Sequence, residues 1–563
     1  MGRRSSLVRS LGAAALVAAG AACESSEIVT CGFGGERQQI AGETYCVYSS
    51  DDVRQARPDF RCPARVPYRI DLEGAVVCTT RDASSPADLP AEVCRLVERT
   101  CGVDFDGGGS PDAGPPDASD DAGSAPGDTG PSPDDAAPSD AGADAGADAD
   151  AGADAGSTRC PGPPLTAGGD VTIATIWSCD VEVTRDVVVD GIVGMPAVVL
   201  SIDPGTTVRF APGTRLLVGD QGRIEARGTA DLPIVLTSAS SAPDRRPGQW
   251  GGVHVFGNAP IGARGGIDNV FGPTWPAATY GGDDPEHDCG VLEHVRIEFA
   301  GAERGAISAN DGLTVGGCGR PTRVSHVQVH RSLHDGIEVR GGLAQIDHAV
   351  VTGAADVSFR WAIGWQGTAQ HVIVHQWPVG ASGESRAAAI AGGGRQALAS
   401  GPISSPRLYN VTVVGPAGDG AAGSAIELAD GTALTLRNFV VLRFGGTAID
   451  VRDNATAMGV GATLLADTGL FTERAGAAYF FDDGLVDGID EAMAFTSGNR
   501  FDEDPMLGPF DPPSMPGFVP VAGSPLGMGA ASAPAPFDPA DYLGALPPGG
   551  PDWTEAWCDF SPD

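Results

Sequence analysis

The sequence predicts an all-β chain whose main part is a right-handed parallel β-helix, preceded by a small disulfide-rich domain and a disordered acidic linker. The 563 residues include 81 Gly and only 6% aromatic residues, which favours many short strands and tight turns. Val, Leu and Ile alternate with polar residues in short runs. Similar segments recur at steps of 32, 22, 23, 39 and 28 residues, which is one coil of about 22 residues with inserted loops. They begin at His294, His326, His348, His371, Asn410 and Asn438.

The N-terminus has the pattern of an export signal. Residues 1–22 carry Arg3, Arg4 and Arg9, then an apolar run and small residues that end before Cys23. Such a segment is too short for a transmembrane anchor and is typical of a signal peptide. Small residues before an isolated Cys predict that Cys23 is lipidated, which anchors the exported protein in the outer membrane or at the cell surface. The alternative is ordinary cleavage nearby, which leaves Cys23 as a thiol.

Residues 23–103 are predicted to form a small Cys-rich domain. Few large apolar side chains lie between its evenly spaced cysteines, which indicates a fold held by disulfides outside the cytoplasm. Zinc binding is the alternative, but the region has no CxxC pair and no His. The spacing does not choose among the connectivities. The six cysteines are Cys31, Cys46, Cys62, Cys78, Cys94 and Cys101.

Residues 104–158 are predicted to be a disordered acidic linker. The segment consists mainly of Asp, Ala, Gly, Pro and Ser, so like charges repel and no apolar surface is available to bury. It holds fourteen Asp and no basic residue; subtracting these charges from the formal net charge of −37 leaves −23. That charge argues against nucleic acid as a partner. All 36 basic residues are Arg, which excludes lysine Schiff-base chemistry.

The β-helix is predicted to span residues 159–470. Alternate residues of the recurring segments are expected to point inward, namely Val295, Ile297, Val327, Val329, Val372 and Val374. Their neighbours are expected to face outward, namely His294, Arg296, Gln328 and Ile373. The repeat then fades, and residues 471–563 are predicted to be a Pro-rich capping segment whose tail packs back across the coils.

Two groups of side chains are candidate metal sites. Four histidines hold the same place in successive coils, which are about 4.8 Å apart, so stacked imidazoles could share a transition metal; these are His294, His326, His348 and His371. The alternative is a stack of like side chains at a corner. An acidic loop offers the hard oxygen ligands that calcium prefers, and its alternative is a solvated loop; its members are Asp283, Asp284, Glu286 and Asp288.

The turn with Asp335 and Glu338 is the candidate for acid/base chemistry or for calcium as a cofactor. In β-helix polysaccharide lyases a carboxylate-bound calcium acidifies the α-proton of the sugar and an Arg or Lys removes it. Arg331, Arg340 or Arg360 could take that second role here. Asp-Gly and Gly-Gly are also ordinary corner residues, so a purely structural role is the alternative.

Cysteines in the predicted β-helix indicate disulfides between neighbouring coils. Cys289 and Cys318 are 29 residues apart, about one coil with a loop, and Cys160 with Cys179 would hold the first turn. Cys558 is then left over. If Cys23 is lipidated, an odd number of cysteines remains, so one is unpaired or pairs between molecules.

The chain resembles secreted β-helix proteins and lipoproteins of Gram-negative bacteria over roughly residues 170 to 560. The motifs include GQWGGVHVFGNAPI, YGGDDPEHDCGVLEHVRIEFAG, HDGIEVRGG, NVTVVG and YLGALPPGGPDWTEAW. This resemblance implies fold and export but no particular reaction. Members usually carry an Asp-Asp-Gly-x-Glu turn and an Asp-Asp-x-Phe-Asp turn. Here His334 and Arg360 replace carboxylates, so the resemblance implies an incomplete acidic site.

These observations lead to two hypotheses about function. The first is a non-enzymatic, envelope-anchored lipoprotein that displays a β-helix for binding or adhesion to glycans or other cell-surface components. The second is a carbohydrate-active β-helix enzyme, a polysaccharide lyase or glycoside hydrolase. Ring faces for stacking sugars would come from Trp361, Trp365 and Trp377.

Overall fold

A computed structural model describes the second half of the chain most fully. The described residues are 163–302, 310–377, 388–416, 423–474, 478–480, 487–510 and 516–561, with the backbone of four strands between residues 36 and 79. The chain divides into two compact units, Met1–Ala149 and Asp150–Asp563. The predicted lipidation site, the acidic linker and the side chains of the six N-terminal cysteines lie outside the described residues.

The first unit contains one antiparallel sheet. Its strands are β1 (Glu36–Ile40), β2 (Glu43–Ser49), β3 (Tyr68–Leu72) and β4 (Ala75–Thr79), in the order β1-β2-β4-β3. The pairing of β2 with β4 places the backbone of Cys46 opposite that of Cys78.

The second unit confirms the predicted parallel β-helix, because its main sheet is parallel throughout. The first coils contain β5 (Leu165–Val171), β6 (Thr175–Trp177), β7 (Val181–Val189), β8 (Val198–Ile202), β9 (Thr207–Phe210), β10 (Leu216–Val218), β11 (Gly222–Arg227), β12 (Ile234–Ser238) and β13 (Val253–Phe256). A loop then carries a two-stranded antiparallel hairpin, β14 (Asp268–Asn269) and β15 (Thr279–Tyr280).

Later coils repeat one long and one short strand. They comprise β16 (Gly290–Glu298), β17 (Leu313–Gly316), β18 (Arg323–His330), β19 (Ile337–Arg340), β20 (Gln345–Thr352), β21 (Phe359–Ala362), β22 (Thr368–His375), β23 (Ile390–Gly393), β24 (Arg407–Val414), β25 (Ile426–Ala429), β26 (Leu434–Leu442), β27 (Ile449–Val451), β28 (Leu464–Thr472) and β29 (Arg500–Phe501). From β16 to β28 each long strand pairs with the next long strand and each short strand with the next short one, so side chains at equivalent positions stack in columns. The two residues of β29 pair with the long strand β28.

The core fills the inside of these coils. All six side chains predicted to point inward are fully buried in one continuous apolar cluster. Two tryptophans considered for sugar stacking, Trp361 and Trp365, belong to the same cluster and are 0% exposed. That expectation is therefore wrong for these two residues, because they pack inside the coil.

Two short α-helices among the described residues and an irregular tail follow the coils. The helices are α1 (Asn454–Ala457) and α2 (Glu491–Phe495). Residues 516–561 run back along the coils: Asn438 hydrogen-bonds with Ala531, and Gln328 hydrogen-bonds with Asp559. No helix within the described part of the chain is apolar and long enough to span a membrane.

The tail also explains an unexpected column of apolar side chains. Outward residues of the long strands are covered by a second apolar cluster that includes tail residues. Ile373, expected to face solvent, is 0% exposed because the tail lies over it. The column continues in the neighbouring coils with Val350 and Val440.

Candidate functional site

A cleft of about 550 Å³ lies against the short strands. Strands β17, β19 and β21 contribute charged and polar side chains to it, and the loop between β13 and β16 forms a wall with Asp268 and Phe271. The side chains used below are Asp268, Asp311, Thr314, Asp335, Glu338, Arg340 and Arg360. The cleft also includes His334 and Asp356.

Two Asp-Gly turns in successive coils bring carboxyl groups together. Thr314 of β17 pairs with Glu338 of β19, so Asp311 and Asp335, each three residues earlier, hold equivalent positions. A Cβ on either following glycine would come within 2.3 Å of a valine inside the coil. The turns therefore need Gly for close packing, and the same turns aim their carboxyls into the cleft.

Asp311 is buried and holds a proton. Its Oδ2 hydrogen-bonds with the Thr314 hydroxyl at 2.8 Å, and its carboxyl hydrogen-bonds with that of Glu338. Burial raises the pKa of Asp311 well above its usual range, and repulsion from Glu338 and Asp335 raises it further. Since two carboxyls can hydrogen-bond only if one is protonated, we assign the proton to Asp311.

The pKa of Asp335 lies close to neutral pH. Burial raises its pKa to about 6, although the paired Arg360 guanidinium opposes the shift. Its Oδ1 also accepts a hydrogen bond from the Val357 amide at 3.0 Å. Asp335 is therefore ionised at neutral pH but close enough to its pKa to accept a proton readily.

Glu338 is held by an arginine that reaches three partners. Arg340 donates from Nη1 to Glu338 Oε1 at 2.7 Å, from Nε to the Tyr280 hydroxyl at 2.7 Å, and from Nη2 to Asp268 Oδ2 at 3.2 Å. Tyr280 in turn donates to Asp268 at 2.8 Å. This network ties the loop hairpin to β19, so the wall and the carboxyls keep a fixed geometry.

The arrangement suits proton transfer. A protonated carboxyl, a carboxylate with a pKa of about 6 and a third carboxyl fixed by an arginine line one cleft. Groups whose environments set different protonation states can act as acid and base in one reaction. The carboxyls of Asp268, Asp311, Asp335, Glu338 and Asp356 outnumber the guanidinium groups of Arg340 and Arg360, so the cleft is acidic.

Sequence reasoning found part of this site. It singled out Asp335 and Glu338, which the structure brings together, but it missed Asp311. The repeat contained a pattern that identifies Asp311, because Asn310-Asp311-Gly312 lies one coil before the similar sequence His334-Asp335-Gly336. Asp311 supplies a carboxyl from the preceding coil, so the acidic site contains three carboxyls despite the substitutions in the family motif.

The acidic loop does not gather its carboxylates. Glu286 forms an ion pair with Arg320, and Asp288 forms one with Arg223. Asp284 accepts a hydrogen bond from the backbone of the same loop. Within the described residues, no set of three potential ligands from this loop comes together, so the loop lacks the convergent oxygens of a calcium site.

The predicted histidine row exists and marks a bend in four successive long strands. His294, His326, His348 and His371 have φ between 48° and 53°, and their stacked rings have centroids 4.3, 4.3 and 4.6 Å apart. Asn410 and Asn438 continue the column with φ of 55° and 57°. His and Asn are among the residues that tolerate this left-handed conformation, so the row has a structural role.

The tail covers this histidine row. The ring centroid of Trp557 lies 5.6 Å from that of His294, and the ring centroid of Trp553 lies 4.8 Å from that of His348. Both pairs pack edge to face. Burial, together with repulsion between neighbouring rings, lowers the pKa of His326 and of His371 to about 4. These two rings are therefore neutral at physiological pH. Asp347 is the carboxylate that hydrogen-bonds with another ring of the row, His348.

The cysteines of the β-helix follow the expected pairing where it is described. Cys289 and Cys318 form a disulfide between neighbouring coils, with Cα atoms 5.8 Å apart. Cys179 is also disulfide-bonded, and its predicted partner Cys160 lies outside the described residues. Cys558 is a free thiol in the tail, and burial raises its pKa well above the usual range.

One comparison with known proteins gives a match. A family model described as a pectate-lyase-like β-helix domain matches residues 184–482, more than half of the chain. No curated protein matches, and no solved structure does. The matched range contains both the acidic cleft and the histidine row.

Proposed function

Since the chain belongs to the pectate-lyase-like β-helix family, we propose that its cleft binds a glycan and hydrolyses a glycosidic bond. The observation that carries the proposal is the difference in protonation between Asp311 and Asp335 within one cleft. Glycoside hydrolysis requires such a pair, one carboxyl to donate a proton and one carboxylate to accept one.

Each carboxyl takes a separate role in the proposed reaction. Asp311 gives its proton to the leaving glycosidic oxygen as the bond to the anomeric carbon breaks. Asp335 accepts a proton from the water whose oxygen bonds to that carbon. Glu338, fixed by Arg340, stabilises the positive charge that develops on the sugar. Proton exchange with solvent then restores both carboxyls.

The charge of the cleft favours a neutral glycan over a polyuronate. Arg340 donates to Glu338, Tyr280 and Asp268, while Arg360 pairs with Asp335. Neither guanidinium is therefore left to neutralise the carboxylate of a uronic acid. The excess carboxylates would repel that group, which supports a hydrolase rather than a lyase as the carbohydrate-active function.

A panel of neutral and uronic polysaccharides tests the proposal through the release of reducing ends. We expect activity on a neutral glycan, and a loss of at least about 100-fold in Asp311→Asn and Asp335→Asn. Glu286→Gln, which removes a surface carboxylate outside the cleft, serves as the matched control. Calcium-dependent release of unsaturated products from polyuronates would instead establish a lyase. Binding without cleavage across the panel would reject catalysis.

A second proposal concerns where the cleft acts. We infer from the sequence that Cys23 carries a lipid and that residues 104–158 hold the β-helix away from the cell envelope as a charged, extended spacer. A protein displayed in this way could bind or adhere through the same cleft. Mass spectrometry of the exported protein should find a diacylglyceryl group on Cys23, and an unmodified cysteine there would reject the anchor.

A further inference from the structure

The middle of the histidine row combines two imidazoles with a carboxylate. Asp347, His348 and His371 each offer a ligand atom, and these atoms lie within 4.8 Å of one another. Among the residues that the structure describes, this is the one group of three potential ligands found together. The group lies on the long strands β20 and β22, outside the acidic cleft and unused by the proposed reaction.

The hydrogen bonds of the two rings leave nitrogen lone pairs available. His371 Nδ1 lies 3.1 Å from the Ala545 carbonyl oxygen, which can only accept, so Nδ1 carries the hydrogen and the neutral ring keeps a lone pair on Nε2. His348 Nδ1 lies 2.7 Å from Asp347 Oδ2. Histidines that bind metals commonly donate their second N–H to a backbone carbonyl, as His371 does to Ala545.

The surrounding charges favour a cation. The negative charges of Asp347 and Asp538 both favour the protonated form of His371 and so raise its pKa, in opposition to burial. In the tail, the negative charge of Asp541 raises the pKa of the neighbouring Tyr542. The Asp347 side chain is 38% exposed, which gives a hydrated ion access from solvent. His371 is 5% exposed, so a bound ion would contact both solvent and a buried ligand.

We propose that Asp347, His348 and His371 bind a divalent transition-metal ion of the zinc class, with water completing its coordination. Two imidazoles and one carboxylate suit Zn²⁺, whereas Ca²⁺ requires more oxygen ligands. Tetrahedral bonds of about 2.1 Å place ligand atoms about 3.4 Å apart, so ligand atoms that now lie up to 4.8 Å apart must approach one another by up to about 1.4 Å. Since the tail packs on these rings, binding of the ion also stabilises the tail on the coils.

Calorimetric titration of the full chain with Zn²⁺ tests the site. We expect Asp347→Asn and His371→Asn to weaken binding by about tenfold or more. Asn is the conservative choice at position 371, because Asn410 and Asn438 hold the same left-handed bend in later coils. The matched control is His294→Asn, which removes an imidazole from the same row outside the proposed ligand set and should leave the affinity unchanged.

A second measurement reports directly on the location. The Trp553 ring lies 4.8 Å from His348, so Cu²⁺ at the site should quench its fluorescence. The quenching should be lost in Trp553→Phe and reduced in Asp347→Asn. The proposal is overturned if Asp347→Asn binds Zn²⁺ as the wild type does, if His294→Asn loses as much affinity as His371→Asn, or if Ca²⁺ binds as tightly as Zn²⁺.

Discussion

Acidification should loosen the C-terminal tail through His330. This ring is 1% exposed, its Nε2 lies 2.8 Å from the Ser561 carbonyl oxygen, and its Nδ1 lies 2.7 Å from the Thr352 hydroxyl. The carbonyl can only accept, so Nε2 donates and the neutral ring accepts from Thr352 at Nδ1. Burial lowers the pKa of His330 to about 4, against opposing contributions from Ser561 and Asp559.

The sign and size of the effect follow from the two pKa values. An unfolded histidine has a pKa near 6.5 and His330 has a pKa of about 4, so His330 on β18 binds the proton more tightly when the tail is released than when the tail is packed on it. The stabilisation is complete above about pH 6.5 and is lost as the pH falls toward 4. The difference between the two pKa values corresponds to about 3 kcal/mol, of which about 2 kcal/mol is lost by pH 5.

Hydrogen exchange in the tail measures this loss. The Asp559 amide, which donates to Gln328 Oε1 at 2.8 Å, reports opening next to His330. After correction for intrinsic exchange rates, its opening free energy should fall by about 2 kcal/mol between pH 7.5 and pH 5. His330→Gln retains a donor for the Ser561 carbonyl but cannot titrate, so it should lose much less. An equal fall in both proteins would refute the assignment to His330.

Three further substitutions test the disulfide, the asparagine that continues the histidine row, and the cleft. Cys289→Ser opens the 29-residue loop to Cys318, which should cost about 3 to 4 kcal/mol in denaturant unfolding. Asn438→Ala removes two hydrogen bonds to the tail at a residue with φ of 57°; a cost of about 2 kcal/mol should appear as faster proteolysis of the tail. Arg360→Gln removes the cation beside Asp335, so the pKa of that carboxyl should rise above 6 in an NMR titration.

The sequence repeat was enough to predict the fold, but it did not predict the left-handed bend within the long strands. Alternation at Val295 and Ile297, together with recurring segments about one coil apart, sufficed to predict parallel coils and their inward side chains. Imidazoles at equivalent positions also predicted a stacked row. That His294 has φ of 48° depends on how the long strand turns between two faces, and side-chain type alone does not establish such a conformation.

The cleft was only half predictable because its members come from different coils and a loop. Asp335 and Glu338 are three residues apart and could be recognised as one turn. Asp311 reaches them from the preceding coil, and Asp268 reaches Arg340 from a hairpin 72 residues away. Those contacts depend on the register of β17 with β19 and on how the loop folds back. A search for Asp-Gly pairs one coil apart would have found Asp311 but not Asp268.

The outward columns of the coils indicate which face remains open to a ligand. The short strands place Thr314, Glu338 and Arg360 outward, and these polar side chains line the acidic cleft. The long strands instead place Val350 and Ile373 outward, which would expose apolar surface if nothing covered them. The tail covers that column, and of these two faces the short-strand face carries the acidic cleft. Release of the tail should therefore expose an apolar surface without altering the acidic cleft.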